Sequence, residues 1–224
     1  MRSAVILAGG KGLRMQTDIP KQFLELNGKP VLMRTLEQFS NAFDGEIQIV
    51  LVLPKDHLEY WKTLCSKHRF GLRHTIAMGG ATRFDSVKSG LSKCEGVRVI
   101  GIHDGVRPLI TETLIRKCYS EALNHGTALP VTAITQSLRK STDEGNQPVD
   151  RTGMMAVQTP QCFGYTVIKE AYELASNTNF TDDATVAEAA GHNIHLVEGD
   201  ATNIKITTKA DLKIAEAILG MLAS

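Results

Sequence analysis

The chain has 224 residues, 42% of them hydrophobic and 22% charged, with a formal net charge of +1. That length supplies one sizeable core, and the near-neutral balance excludes the electrostatic footprint of a protein built to bind nucleic acid or a membrane surface. No apolar run approaches the roughly 18 residues of a membrane span, and the scattered Cys65, Cys94, Cys118 and Cys162 form no C-x-x-C pair, which points to reduced thiols in a cytoplasmic setting.

The first residues lack the charged-then-apolar profile of a secretion signal. AVIL, residues 4–7, reads as a short buried strand. It runs into Gly9, Gly10 and Gly12, with Lys11 and Arg14 among them. Exposed backbone N–H groups and two cations suit phosphate oxygens, although a plain strand-to-helix turn is also rich in glycine. Two common glycine loops do not fit. A dinucleotide fingerprint needs a third glycine where Met15 stands, and a Walker loop needs Ser or Thr where Gly12 follows Lys11.

Pro30 is placed to start a helix through VLMRTLEQF, and EIQIVLVLP is an apolar strand ending at Pro54. Asp56 is positioned to cap a helix over 57–70. A short strand, HTIAMGG, precedes a helix over 82–94, and VRVIGI is a buried strand followed by the turn HDGVRP. A helix over 113–126 ends at Gly126, and TALPVTAI is the next strand. The polar stretch 137–157 breaks this rhythm, and its D-E-G-N-Q-P turn signal predicts a projecting hairpin arm. An isolated hairpin is marginal in water, so packing against a second copy of the chain is expected; a surface loop is the alternative. Helices over 166–177 and 182–191, strands at NIHLVEG and NIKIT, and a last helix with a capping box at Thr208 and Asp211 complete the chain. The alternation implies one α/β domain over 1–224, a Rossmann-like, mostly parallel twisted sheet with helices on both faces. Ligands of such sheets bind beyond the carboxyl ends of the strands.

Polar clusters punctuate those ends: the glycine loop, Pro20-Lys21-Gln22, Gly79-Gly80 with Arg83 and Ser86, His103-Asp104 with Arg107, and Asn203-Ile204-Lys205. Taken singly, each has a plain reading as a solvated lysine, a capping acid or a packed histidine. Together, cations around a single acid match phosphoryl or nucleotidyl transfer, with a carboxylate to hold Mg²⁺.

The ordered set L-A-G-G-K-G-L-R-M, P-K-Q-F, H-D-G-V-R-P, Q-T-P-Q, T-D-D-A and V-E-G-D-A-T-N-I-K-I-T resembles the cytidylyltransferase family of isoprenoid precursor synthesis, whose members act on 2-C-methyl-D-erythritol 4-phosphate, nearly end to end. The resemblance implies transfer of a cytidylyl group from CTP to a small polyol phosphate, with Mg²⁺. Ala8, Gly9, Gly10 and Gly12 would wrap the nucleotide, and Gly79, Gly80, Arg83 and Ser86 would contact base and ribose. Arg14 and Lys21 match the family's catalytic cations, Lys205 is added to them, and Asp104 matches the metal carboxylate. Arg107, Ser137, Arg151, Thr159, Thr181 and Lys205 match positions around the acceptor, with Arg151 delivered by the arm of a homodimer partner. Ala8-Gly9-Gly10 and Gly105-Val106 instead lean toward a sister family acting on ribitol 5-phosphate, whereas Thr181-Asp182-Asp183-Ala184 leans back, leaving the acceptor open between the two.

Overall fold

The computed structural model describes residues 1–9 and 19–222; the side chain of Leu222 is not described, and Gly10, Lys11, Gly12 and Arg14 of the glycine loop lie outside the described residues. The chain runs through β1 (Arg2–Leu7), β2 (Glu25–Leu26), β3 (Lys29–Pro30), α1 (Val31–Asn41), β4 (Gln48–Leu53), α2 (Leu58–Lys67), β5 (Thr75–Met78), α3 (Arg83–Leu91), β6 (Val99–Asp104), α4 (Glu112–His125) and β7 (Thr127–Ala133). It continues through β8 (Leu138–Thr142), β9 (Gly145–Val149), β10 (Met155–Val157), β11 (Gln161–Gly164), α5 (Tyr165–Leu174), α6 (Asp183–Ala189), β12 (Leu196–Glu198) and α7 (Lys209–Leu222).

The main sheet has the order β10-β7-β11-β6-β1-β4-β5, with β12 on the other edge of β7. The β6-β1-β4-β5 portion is parallel, as is the β12–β7 pair. β11 is antiparallel to both β6 and β7, and β10 is antiparallel to β7. The expected mostly parallel sheet is therefore present, with one inserted strand that the sequence pattern did not disclose.

Both sheet faces are buried, which explains the near-continuous apolar strands. Side chains alternate faces. Ala4, Ile6, Ile49, Leu51 and Leu53 pack with α1, α2 and α4, while Val5, Val50 and Val52 pack with α3, α5 and α6. A smaller cluster, Leu26, Val31, Val106, Leu109, Ile206 and Ala215, seats α7 beside the site end of the sheet.

Local signals explain most boundaries. Pro30 is the N-cap of α1, and Gly126 ends α4 in the left-handed conformation that only glycine adopts freely. Thr82 and Asp85 form a capping box on α3, and Thr208 and Asp211 exchange the same pair of bonds at the start of α7.

Other expectations are corrected. Asp56 does not cap α2: it lies in a 3-10 turn over 55–57, and the N-cap is His57 without a side-chain bond. α2 ends at Lys67 because Arg69 takes a positive φ of 50°. NIKIT forms no strand: Ile206 N–H reaches Val106 O, but the Asn203 carbonyl is taken by Arg107 instead of a ladder partner. The stretch 137–157 splits, since among the described residues β8 and β9 pair only with each other as an arm while β10 returns to the main sheet.

Gly90 lies on the buried face of α3, where a Cβ would meet Val5 Cγ1 at 2.5 Å and Val52 Cγ2 at 3.0 Å. Helix propensity alone favours alanine there by about 1 kcal/mol. Valine is stiff at χ1, so overpacking costing about 1–3 kcal/mol outweighs that gain. Gly90→Ala is expected to lower stability in urea unfolding; an increase would show that α3 can move off the sheet at little cost.

Candidate active site

β1 and β6 pair in parallel with Leu7 opposite Asp104, so the segments leaving both strands emerge side by side. Beyond them lies a cleft of about 310 Å³ lined by Ala8, Gly9, Lys21, Gly80, Arg83, Ser86, Asp104 and Lys205 among others. An adjoining recess of about 370 Å³ shares Arg83, Asp104 and Lys205 and adds Arg107, Thr159 and Thr181. Residues spread across almost the whole chain thus meet in one place.

Asp104 is the electrostatic centre. Its Oδ2 is 3.0 Å from Lys205 Nζ and 3.2 Å from Arg107 Nε. Burial alone would raise the carboxyl's pKa; Lys205 and Arg107 outweigh it and bring it down to about 2. Two cations sharing one carboxylate leave an excess of positive charge, as an anionic ligand requires.

The backbone of Asp104 is fixed by buried polar groups. Its N–H donates to Thr159 Oγ1 (3.1 Å), which lies 2.9 Å from His103 Nδ1. His103 Nε2 lies 3.3 Å from the Arg107 carbonyl, which can only accept. The imidazole therefore carries its proton on Nε2 and accepts from the Thr159 hydroxyl through Nδ1. Complete burial pushes the His103 pKa down to about 3, only partly countered by Asp104, so the ring is neutral. His103 and Thr159 are positioning residues.

Arg83 starts α3 and reaches across the site in a two-pronged bond to Asp183, with Nη1–Oδ1 at 2.8 Å and Nη2–Oδ2 at 2.5 Å. Asp183 is fully buried and also accepts from Tyr172 Oη at 2.7 Å. Burial by itself would lower the Arg83 pKa, but Asp183 outweighs it and holds the guanidinium firmly protonated. The Gln161 side-chain carbonyl accepts from the N–H groups of Asp183 and Ala184, tying the start of α6 to β11.

Gly80 is needed at close quarters, since a Cβ there would sit 2.2 Å from Asp85 Cβ. Its N–H donates to Ser86 Oγ, which in turn donates to Thr82 O. Ser86 thus shapes this loop as well as lining the cleft. Gly79 lies just behind, its N–H donating to Leu53 O, and does not line the cleft. Lys21, only 9% exposed, sits in a 3-10 turn over 21–23 beside Gln22, whose side-chain amide donates to Ala8 O at 2.8 Å.

The structure therefore gathers Ala8, Gly9, Lys21, Gly80, Arg83, Ser86, Asp104, Arg107, Thr159, Thr181 and Lys205 around two connected recesses. Ser137 and Arg151 are exposed near the ends of the arm and line neither recess; Arg151 donates to Thr135 O. Sequence reasoning placed Gln22 and Asn203 in polar clusters without a role and gave no supporting role to Gln158, Gln161, Tyr172 and Asp183. Gln158 and Asn203 hold the Lys205 segment, with Asn203 Nδ2 donating to Thr159 O (2.9 Å) and Gln158 Nε2 to Asp200 O (2.7 Å). The available signal was polarity at positions that fold into the interior: all but Asp183 are uncharged groups able to satisfy backbone.

As a metal ligand, Asp104 offers an ionised hard oxygen donor, the sole carboxylate among the described residues lining the main cleft. That fits Mg²⁺, which characteristically takes one or two protein carboxylates and completes its shell with water and substrate phosphates.

The family model for 2-C-methyl-D-erythritol 4-phosphate cytidylyltransferase matches residues 3–221. The enzyme of that name from Bacteroides fragilis is 50% identical over 218 residues, spanning 97% of this chain and 99% of that protein. The one from Porphyromonas gingivalis is 45% identical over 219 residues, spanning 97% of each. Among solved structures, 4-diphosphocytidyl-2C-methyl-D-erythritol synthase from Anaerococcus prevotii superposes with a TM-score of 0.82 at 30% identity, covering 98% of this chain and 96% of that one. The Thermus thermophilus 2-C-methyl-D-erythritol 4-phosphate cytidylyltransferase gives 0.79 at 30% identity, covering 97% and 98%. With its mostly parallel sheet, its cation-rich cleft and relatives matched along nearly their full length, the chain belongs to the 2-C-methyl-D-erythritol 4-phosphate cytidylyltransferase family.

Proposed function

We propose that this chain transfers the cytidylyl group of CTP to 2-C-methyl-D-erythritol 4-phosphate, releasing pyrophosphate, in the non-mevalonate route to isoprenoid precursors. The observation that carries this reading is the meeting of Lys21, Arg83, Lys205 and Asp104 beside Ala8-Gly9 in one cleft of a chain of this family. The acceptor's phosphate attacks the α-phosphorus of CTP in line; a P–O bond forms and the bond to the leaving pyrophosphate breaks. The nucleophile is already an anion, so catalysis reduces to positioning and charge stabilisation.

Roles follow from position. Ala8 and Gly9, with Gly10 and Gly12, wrap the nucleotide through their backbone. Gly80 and Ser86 form the wall for base and ribose, with Gly79 behind them, and Arg83 braces it. Lys21, Arg14 and Lys205 stabilise charge on the pentacoordinate phosphorus. Arg107, Thr181 and Lys205 face the recess for the acceptor, with Thr159 behind them. Asp104 holds Mg²⁺, which neutralises charge on the triphosphate when bound.

We read the arm as a dimerisation device that carries Arg151, with Ser137 at its base, to the partner's acceptor recess. Two features support this: among the described residues β8–β9 pairs with no other strand, and Met154, Met155 and Val157 beside it are exposed apolar side chains. The four free cysteines agree with a cytoplasmic setting.

Pyrophosphate release measured with CTP, Mg²⁺ and either acceptor tests the assignment. Methylerythritol 4-phosphate is expected to turn over, and faster release with ribitol 5-phosphate would overturn the choice of acceptor. Lys21→Ala is expected to lower kcat by ~10²–10³. Arg151→Ala is expected to be similarly weak alone, yet mixing the two inactive variants should restore activity, because one hybrid site regains both residues; no recovery after subunit exchange would rule out a shared site. Asp183→Asn is expected to cost about 3 kcal/mol in urea unfolding, since it leaves the partly buried Arg83 without its counter-charge. A change under about 1 kcal/mol, the scale of an exposed pair, would show that the bond is ornamental.

A further inference from the structure

On the side of the molecule served by α4, Glu121 and His125 lie one helical turn apart, and His195 stands just before β12. Glu121 Oε2 is 3.3 Å from His125 Nε2 and 3.1 Å from His195 Nε2, and one ligand atom from each of the three lies within 4.8 Å of the others. The two imidazoles stack with centroids 3.8 Å apart and planes 11° from parallel. None of the three lines either recess of the active site.

We propose that Glu121, His125 and His195 form a site for a divalent transition-metal ion of the zinc type, which staples the end of α4 to the segment entering β12. Two imidazoles and one carboxylate are a zinc-type donor set, and water supplies the fourth position. With metal–ligand bonds of about 2.0–2.1 Å, the edges of a tetrahedral site are about 3.3 Å long, close to the two separations seen here. A neutral imidazole donating to a carboxylate would settle nearer 2.8–3.0 Å.

The frame beneath the side chains is rigid. Glu121 and His125 project from the last turns of α4, which Gly126 closes directly before β7. His195 N–H donates to Thr127 Oγ1 (2.9 Å), and His195 O accepts from Leu129 N (2.8 Å). The side chains remain about one-third to one-half exposed, so an ion can enter from solvent and the rings can turn toward it.

Zinc is titrated calorimetrically into the full chain in excess Mg²⁺, with Co²⁺ absorption reporting coordination geometry. The expected result is one equivalent bound and a rise in melting temperature. His125→Ala, His195→Ala and Glu121→Gln are each expected to weaken binding more than about a hundredfold, beyond the roughly 10–100-fold loss of an outer-sphere partner. Asp104→Asn should leave it unchanged. Melting of the metal-free variants near the metal-free parent separates lost binding from lost fold. Absence of saturable binding, binding that survives His195→Ala, or binding abolished by Asp104→Asn would each overturn the proposal.

Discussion

The parallel pairing of β1 with β6 is the constraint on which the site depends. With Leu7 opposite Asp104, the backbone that follows β1 and the carboxylate ending β6 must leave the sheet together. A slip by one residue would turn every side chain of β1 to the opposite face. Both faces of β1 are packed, so that slip is blocked by Ala4 and Ile6 on one side and Val5 on the other. Apolar packing, with no part in the chemistry, thereby fixes where the chemistry happens.

Around this register the site is assembled from buried bonds that fix charge before any ligand arrives. Asp104 is held ionised by Lys205 and Arg107, Arg83 is held by Asp183, and His103 is neutral. Such preorganisation matters for phosphoryl-type chemistry, because dipoles and cations that need not reorient stabilise a transition state most effectively. The Thr159 hydroxyl and the Gln161 side-chain carbonyl do the same for the backbone that carries these charges, accepting from the N–H groups of Asp104 and Asp183, and Asn203 in turn donates to the Thr159 carbonyl.

Much of this was legible in the sequence, for physical reasons that also set the boundary of what was not. β1, β4 and β6 announce themselves because a strand buried on both faces has to be apolar throughout. The capping pair Thr208 and Asp211 marks a helix start through local bonds, and Gly126 marks an end through its backbone freedom. β11 was hidden: Gln161-Cys162-Phe163-Gly164 is short, lacks alternation, and owes its conformation to β6 and β7 on either side. Asp56 misled because a capping residue type is no guarantee of a cap when a 3-10 turn intervenes. The meeting of Lys21, Arg83, Asp104 and Lys205 was foreseeable from their place near strand ends and from the ordered motifs of the family, whereas the Arg83–Asp183 bond, joining positions 100 residues apart, had no local signal at all.

The reversed direction of β11 has a mechanical consequence. A parallel strand would reach the ligand edge only with its last residues, but β11 begins there, so Thr159 and Gln161 stand at the rim and the hairpin is spliced in immediately upstream. One length of backbone, from β9 through β10 into β11, thus joins the β8–β9 arm to the hydroxyl that steadies Asp104. A displacement of β10 would therefore reach the anchorage of the carboxylate along continuous chain, through the residues that lead from Val157 into Thr159.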